Sequence, residues 1–246
     1  MMKRDVHITA RGLLNAIQFR DGDFGKIGIL SGQPQRVQMC LEFLENPIKN
    51  FSAFGYTLWT GEYKGKRITV GNGGMYAPDA ALVTEIVCEG GVDILIRLGS
   101  CGALKEEINI GDLVIAEVAL RGDGVTNYYV DKDFIPHAEK TLTETLYNIN
   151  SDNKSVYKGI VWTTDAILRE TKEVINEVVK KGAIGVDMVT SPFLTIANLY
   201  KRKAVALLVV SDNLITGEMG FFDIRLFDAE KDMVDKAFKL IETINA

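Results

Sequence analysis

Apolar and polar positions along the chain switch repeatedly between two rhythms. Short, unbroken apolar runs bounded by glycine or polar residues occur at 26–30 (KIGIL), 93–98 (DILIRL), 113–118 and 204–210 (AVALLVV). Runs of this length predict strands buried on both faces. Residues 157–162 predict another strand, and 56–63 and 67–70 flank Lys64-Gly65-Lys66 as the two arms of a hairpin. Between these runs, apolar residues recur every three or four positions. That spacing predicts helices over 36–45, 77–89, 137–148, 170–180, 191–200 and 228–244. Pro34 stands where the first turn of the earliest of these helices would begin. The alternation predicts an α/β layer fold with a largely parallel or mixed sheet. No internal repeat or low-complexity segment interrupts it. Residues 150–154 read as a loop rather than a linker, and the turn-rich stretch 121–134 as a long functional loop. A length of 246 residues suits one domain spanning 1–246.

Composition narrows the class of partner. Hydrophobic residues make up 47% and charged residues 25%, as in ordinary globular proteins, and the net charge of −5 gives no general attraction to nucleic acid or an anionic membrane. An anionic ligand would therefore need a local basic site. Three widely spaced cysteines without a C-x-x-C pair, and only two histidines, argue against a disulfide framework and against a metal centre. No run approaches the ~20 apolar residues of a membrane span, and the first residues, MMKRDVHITARG, lack the apolar core of a signal peptide. A cytoplasmic location is expected.

Three predicted strand ends carry residues suited to chemistry, where open α/β sheets bind their ligands. After the first, Ser31-Gly32-Gln33-Pro34-Gln35-Arg36 combines a close-approach glycine, a helix start and a cation, although an ordinary strand–helix turn would look the same. In the second, Arg97 interrupts an apolar strand and is followed by Leu98-Gly99-Ser100-Cys101-Gly102. A charge in such a run is costly unless paired, so Arg97 meets either an anionic ligand or an internal carboxylate. Arg97–Ser100 reads as an anion-binding turn, with the Ser100 hydroxyl as a further donor. In the third, Asp212 follows the most apolar run of the chain within Ser211-Asp212-Asn213; it is either a proton donor with a raised pKa or a cap. No G-x-S-x-G, Walker A or G-x-G-x-x-G pattern is present.

Taken in order, His7-Ile8-Thr9, Ser31–Arg36, Thr60-Gly61-Glu62-Tyr63-Lys64-Gly65, Arg97–Gly102, Gly185-Val186-Asp187-Met188 and Ser211-Asp212-Asn213 resemble the purine nucleoside phosphorylase and uridine phosphorylase family over nearly the whole chain, closest to the hexameric purine nucleoside and methylthioadenosine phosphorylases. The resemblance implies an α/β domain whose mixed sheet is partly closed into a barrel, and a homo-oligomer built as a trimer of dimers. It implies attack of inorganic phosphate on a nucleoside, with no metal or organic cofactor. Carried over, Gly32, Arg36, Arg97 and Ser100 would hold phosphate, and Met188 would lie against the ribose beside Asp187. His7 would reach a neighbouring subunit's site. Cys101, Gly102 and Ser211 would border the nucleoside, and Asp212 would protonate purine N7 with Arg225 assisting.

The chain also departs from that pattern. Phe54 stands where the hexameric enzymes place an arginine donated to a neighbour's phosphate, and Gly71 where a methionine packs on the sugar. The family's G-x-G-x-P-S stretch is degraded to Gly74-Met75-Tyr76-Ala77-Pro78-Asp79. Its E-M-E sequence reads Asp187-Met188-Val189, and Val189 cannot grip two ribose hydroxyls as glutamate does. Hydrogen bonds to a charged group are worth about 1.5–3 kcal/mol each, so altered ribose recognition is expected unless Asp187 compensates. The alternatives are a uridine phosphorylase or nucleosidase of the same superfamily, or a weakly active binding or assembly paralogue.

Overall fold

The computed structural model describes residues 7–149 and 155–244; the loop expected at 150–154 lies outside them. Helix α1 (Ala10–Ala16) is capped by Thr9, whose side chain accepts from the Gly12 N–H. Strand β1 (Ile27–Ser31) runs into helix α2 (Pro34–Glu42), with Pro34 in the first turn as its fixed φ favours. A meander of β2 (Glu45–Ala53), β3 (Tyr56–Tyr63) and β4 (Lys66–Asn72) leads to α3 (Ala77–Glu89). Next come β5 (Ile94–Ala103), β6 (Leu113–Gly122), α4 (Lys140–Asn148), β7 (Val156–Thr164) and α5 (Lys172–Lys180). The chain continues through β8 (Ala183–Asp187), α6 (Thr190–Leu199), β9 (Lys203–Asn213), β10 (Glu218–Met219) and α7 (Ile224–Thr243).

All ten strands form one mixed sheet in the order β10-β9-β6-β7-β8-β5-β1-β4-β3-β2, and β9 also pairs with β5. That extra pairing closes β5, β9, β6, β7 and β8 into a five-stranded barrel, from which β1, β4, β3 and β2 extend as an open arm. The barrel-like α/β architecture implied by the resemblance is thus present. Strands β1, β5 and β9 run parallel, so Ser31, Ser100–Ala103 and Ser211–Asn213 end on the same side of the sheet. The apolar run of β9 is buried on both faces because the sheet is covered on both. Ala204, Ala206, Leu208 and Val210 join a core with Phe193 of α6 and Val83 of α3, while Val205, Leu207 and Val209 join one with Met233 and Phe238 of α7.

The sequence reading is corrected at several points. Arg97–Ser100 is not a turn: β5 continues to Ala103, because β9 supplies ladder partners along its whole length. Strand β9 likewise runs through Ser211-Asp212-Asn213. The helix expected from 137 starts at Lys140, after a bridge between His137 and Val118, and the one expected from 170 starts at Lys172. The loop after β6 is ordered by a 3-10 turn (Val125–Tyr128), with the Arg121 guanidinium donating to Thr126 Oγ1 and Asn127 Oδ1. Helix α1 and strands β2, β8 and β10 carry little periodicity and were not anticipated.

Candidate active site

The three parallel strand ends converge on a cleft of about 170 Å³ lined by Gly32, Arg36, Arg97, Ser100, Cys101, Gly102, Asp187, Met188, Ser211 and Asp212. It opens into a second chamber of about 480 Å³, and Ile167, Glu170, Asp212 and Phe221 border both. Ten residues singled out in the sequence, spread over 181 positions, therefore meet in one place.

One end of the cleft is cationic. A side chain at Gly32 would press against the Gly74 carbonyl oxygen at 2.6 Å, so only glycine allows the β1–α2 turn to sit there. Arg36, on the first turn of α2, is buried; its Nε and Nη2 donate to Glu230 Oε1 at 3.0 and 2.6 Å, and Nη2 also donates to Ser100 Oγ. The Arg97 guanidinium folds back over Gly99, where any Cβ would overlap it. Its Nη2 meets Asp187 Oδ2 at 3.0 Å, while Nη1 is buried with no hydrogen-bond partner among the described residues. Burial pushes both guanidinium groups below their ordinary pKa, against the pull of Glu230 on Arg36 and Asp187 on Arg97. Each arginine of the sequence reading therefore has its internal carboxylate, yet one buried donor of Arg97, a residue that lines the cleft, remains unanswered among the described residues. An unpaired buried N–H costs about 1–3 kcal/mol, which an anion's oxygen would recover.

Asp187 does not take the ribose-facing role considered for it. Its Oδ1 accepts from Thr163 Oγ1 at 2.8 Å and Thr190 N at 3.2 Å, and its Oδ2 from Thr190 N, Thr190 Oγ1 and Arg97. Those contacts use the acceptor capacity of the carboxylate on the α6 N-terminus and on Arg97, leaving none for a sugar. Val189, the residue preceding α6, lines the cleft beside Met188 and Met75. The wall formed by Met75, Met188 and Val189 is thus largely apolar.

The opposite end is acidic. Asp212 Oδ1 accepts from Ser211 Oγ at 2.7 Å. Burial raises the Asp212 pKa, opposed by that hydrogen bond. Glu170, just past a 3-10 turn (Ile167–Arg169) beyond β7, is raised to about 7 by burial and by the nearby Asp212 charge. Cys101 is buried, and burial pushes its thiol well above the usual range, so it borders the cleft as an inert side chain.

Two expected residues lie elsewhere in the single chain. The Arg225 guanidinium, at the start of α7, donates to Asp223 and Glu218 and does not border the cleft. His7 is exposed and also away from it. Phe54 sits in the tight β2–β3 turn with φ 56°, its ring exposed. Sequence reasoning missed Glu230 and Glu170. Glu230 had a signal: it falls on the apolar stripe of α7 between Leu226 and Met233, and a carboxylate there demands a buried partner. Glu170 had none, since it reads as an ordinary charge at a helix start.

Comparison with known proteins identifies the family. The family model described as the phosphorylase superfamily matches residues 26–244. A DeoD-type purine nucleoside phosphorylase of Brevibacillus brevis is 32% identical over 203 residues, covering 81% of this chain and 86% of the relative. One from Bacillus cereus is 32% identical over 206 residues, covering 82% and 88%. Among solved structures, uridine phosphorylase from Vibrio fischeri superposes with a TM-score of 0.81 at 24% identity, over 93% of this chain and 96% of that one, which speaks to the fold. With a family model matching most of the chain and relatives at 32% identity, the chain belongs to the phosphorylase superfamily.

Proposed function

We propose that the protein catalyses phosphorolysis of a purine-type nucleoside to free base and (deoxy)ribose 1-phosphate, with altered ribose recognition. The observation that carries this reading is the joining of Arg36, Arg97 and Ser100 to Asp212 across one cleft, with a buried Arg97 N–H left unanswered at the cationic end. Inorganic phosphate held there would attack the anomeric carbon as the glycosidic bond breaks. Its negative charge stabilises the oxocarbenium-like transition state. Asp212, whose burial favours the protonated form, gives its proton to N7 of the departing purine, so the base leaves neutral. No metal or organic cofactor enters this scheme. Binding at the sugar is shifted from charged hydrogen bonds to packing by Met188 and Val189. The exposed apolar residues Ile8, Ile48, Phe54 and Tyr76 favour a homo-oligomer, a hexamer by analogy with the resemblance, in which His7 would be buried against a neighbour. A cytoplasmic setting suits these substrates.

A second reading, phosphate-independent hydrolysis, is favoured by one fact: both guanidinium groups already have carboxylate partners. Base release from a nucleoside panel, with and without phosphate, separates the two. Phosphate-dependent release is expected. Asp212→Asn should slow purine release by about 10²-fold or more while the thermal shift produced by phosphate is retained. No turnover with any nucleoside at high protein concentration refutes both readings.

A further inference from the structure

Several of the polar groups lining the outer chamber are already engaged. Asn213 donates to the Lys105 and Ile108 carbonyls and accepts from Ile215 N and Thr216 N. Glu218 is paired with Arg225 at 2.6 Å. Asp212 is held by Ser211. Glu170 differs: its half-buried carboxyl lines both chambers, and no hydrogen bond or ion pair to it is present among the described residues. Around it, Ile167, Leu214, Met219 and Phe221 offer apolar walls of the kind that sandwich a planar ring.

From this arrangement we infer that Glu170 selects the base, by accepting a hydrogen bond from an amino group at position 6 of the purine. The inference rests on the purine reading above. N7 and the 6-substituent project from the same edge of the ring. With Asp212 at N7, a carboxyl sharing its chamber meets the 6-substituent. An ionised carboxylate accepts from an amine and repels the lone pairs of a keto oxygen. Protonation reverses the second preference, because a carboxylic acid donates to a keto group. The charges facing this chamber besides Glu170 are Asp212 from β9, Glu218 from β10 with its partner Arg225, and Arg169 from the same turn. Of the carboxyls, Glu170 is poised to change form near neutrality, because burial and Asp212 hold its pKa at about 7. Selection for 6-amino purines therefore sharpens as pH rises from 6 to 8.

Equilibrium dialysis of free adenine and hypoxanthine against the full chain, with phosphate present, tests this for the wild type, Glu170→Gln and Glu170→Leu. The wild type should prefer adenine by about tenfold or more at pH 8, the effect of one hydrogen bond to a charged group, and by less at pH 6. Both variants should bring the ratio to within about twofold and remove its pH dependence. The phosphate-induced thermal shift serves as the control for folding. Purine binding with an unchanged adenine-to-hypoxanthine ratio in both variants overturns the role of Glu170 alone. Binding of uracil but of neither purine by the wild type overturns the purine reading, and this role with it.

Discussion

Glu230→Gln removes the charge that neutralises Arg36 while keeping nearly the same shape. In the wild type, the Arg36 and Glu230 side chains are only 2% and 8% exposed, and Nη2 lies 2.6 Å from Oε1. Breaking such a pair by deleting one charge costs about 3–5 kcal/mol, since the remaining charge stays buried. The amide oxygen retains one hydrogen bond, which places the expected loss near about 3 kcal/mol. At this chain length that corresponds to a fall in the thermal midpoint of about 6–12 °C. Phosphate should then recover more stability in the variant than in the wild type, because Arg36 no longer has an internal anion competing with the ligand. At a hundredfold excess over its Kd, a ligand contributes about 2.7 kcal/mol. The assay is urea or thermal unfolding with and without phosphate, sulfate serving as a second anion and chloride as an ionic-strength control. Glu230→Gln as stable as the wild type would show that Arg36 does not depend on this carboxylate. An unstable variant that phosphate stabilises no more than it does the wild type would separate Arg36 from the anion site.

Gly99→Ala should cost about 3 kcal/mol, because its Cβ would push the Arg97 guanidinium away from its buried partner Asp187. It should also weaken phosphate binding by about tenfold or more, as the guanidinium is pushed off its place; undiminished binding by calorimetry would refute the role given to that glycine. Glu170→Gln should change stability progressively as pH rises from about 4.5, with the full effect reached above about pH 7. The Glu170 pKa is raised on folding, from 4.5 to about 7, so the folded protein binds its proton more tightly, and stability falls as pH rises through that window. The variant escapes this loss. Unfolding should therefore show it more stable than the wild type at pH 8, by about 1 kcal/mol after discounting for solvent screening, and no more stable at pH 4. A gain of equal size at both pH values would mean the charge is not the cause.

Sequence alone determined the layered plan and much of the site's membership. Buried strands read as unbroken apolar runs because both sheet faces are covered, and the helices between them read by their three-to-four spacing. Gly32, Arg36, Arg97, Ser100 and Asp212 stood out because each is polar or unusually small at the end of an apolar run, where the polypeptide rarely tolerates it without a reason. Closure of the barrel was not legible. It depends on β9 reaching both β5 and β6, and a strand's own residues do not say which neighbours it has. Nor could the sequence decide between ligand and internal partner for Arg97. The structure shows the internal partner: Asp187, 90 positions away, takes one nitrogen, and the other is buried with no partner among the described residues. Asp187 itself changed from a sugar-facing group to one saturated by Thr163, Thr190 and Arg97. Glu170 passed as a surface charge until the turn beyond β7 brought it beside Asp212. Charge identity is written in the chain, but burial and mutual distance, which set pKa and hydrogen-bond satisfaction, arise only when remote segments pack together.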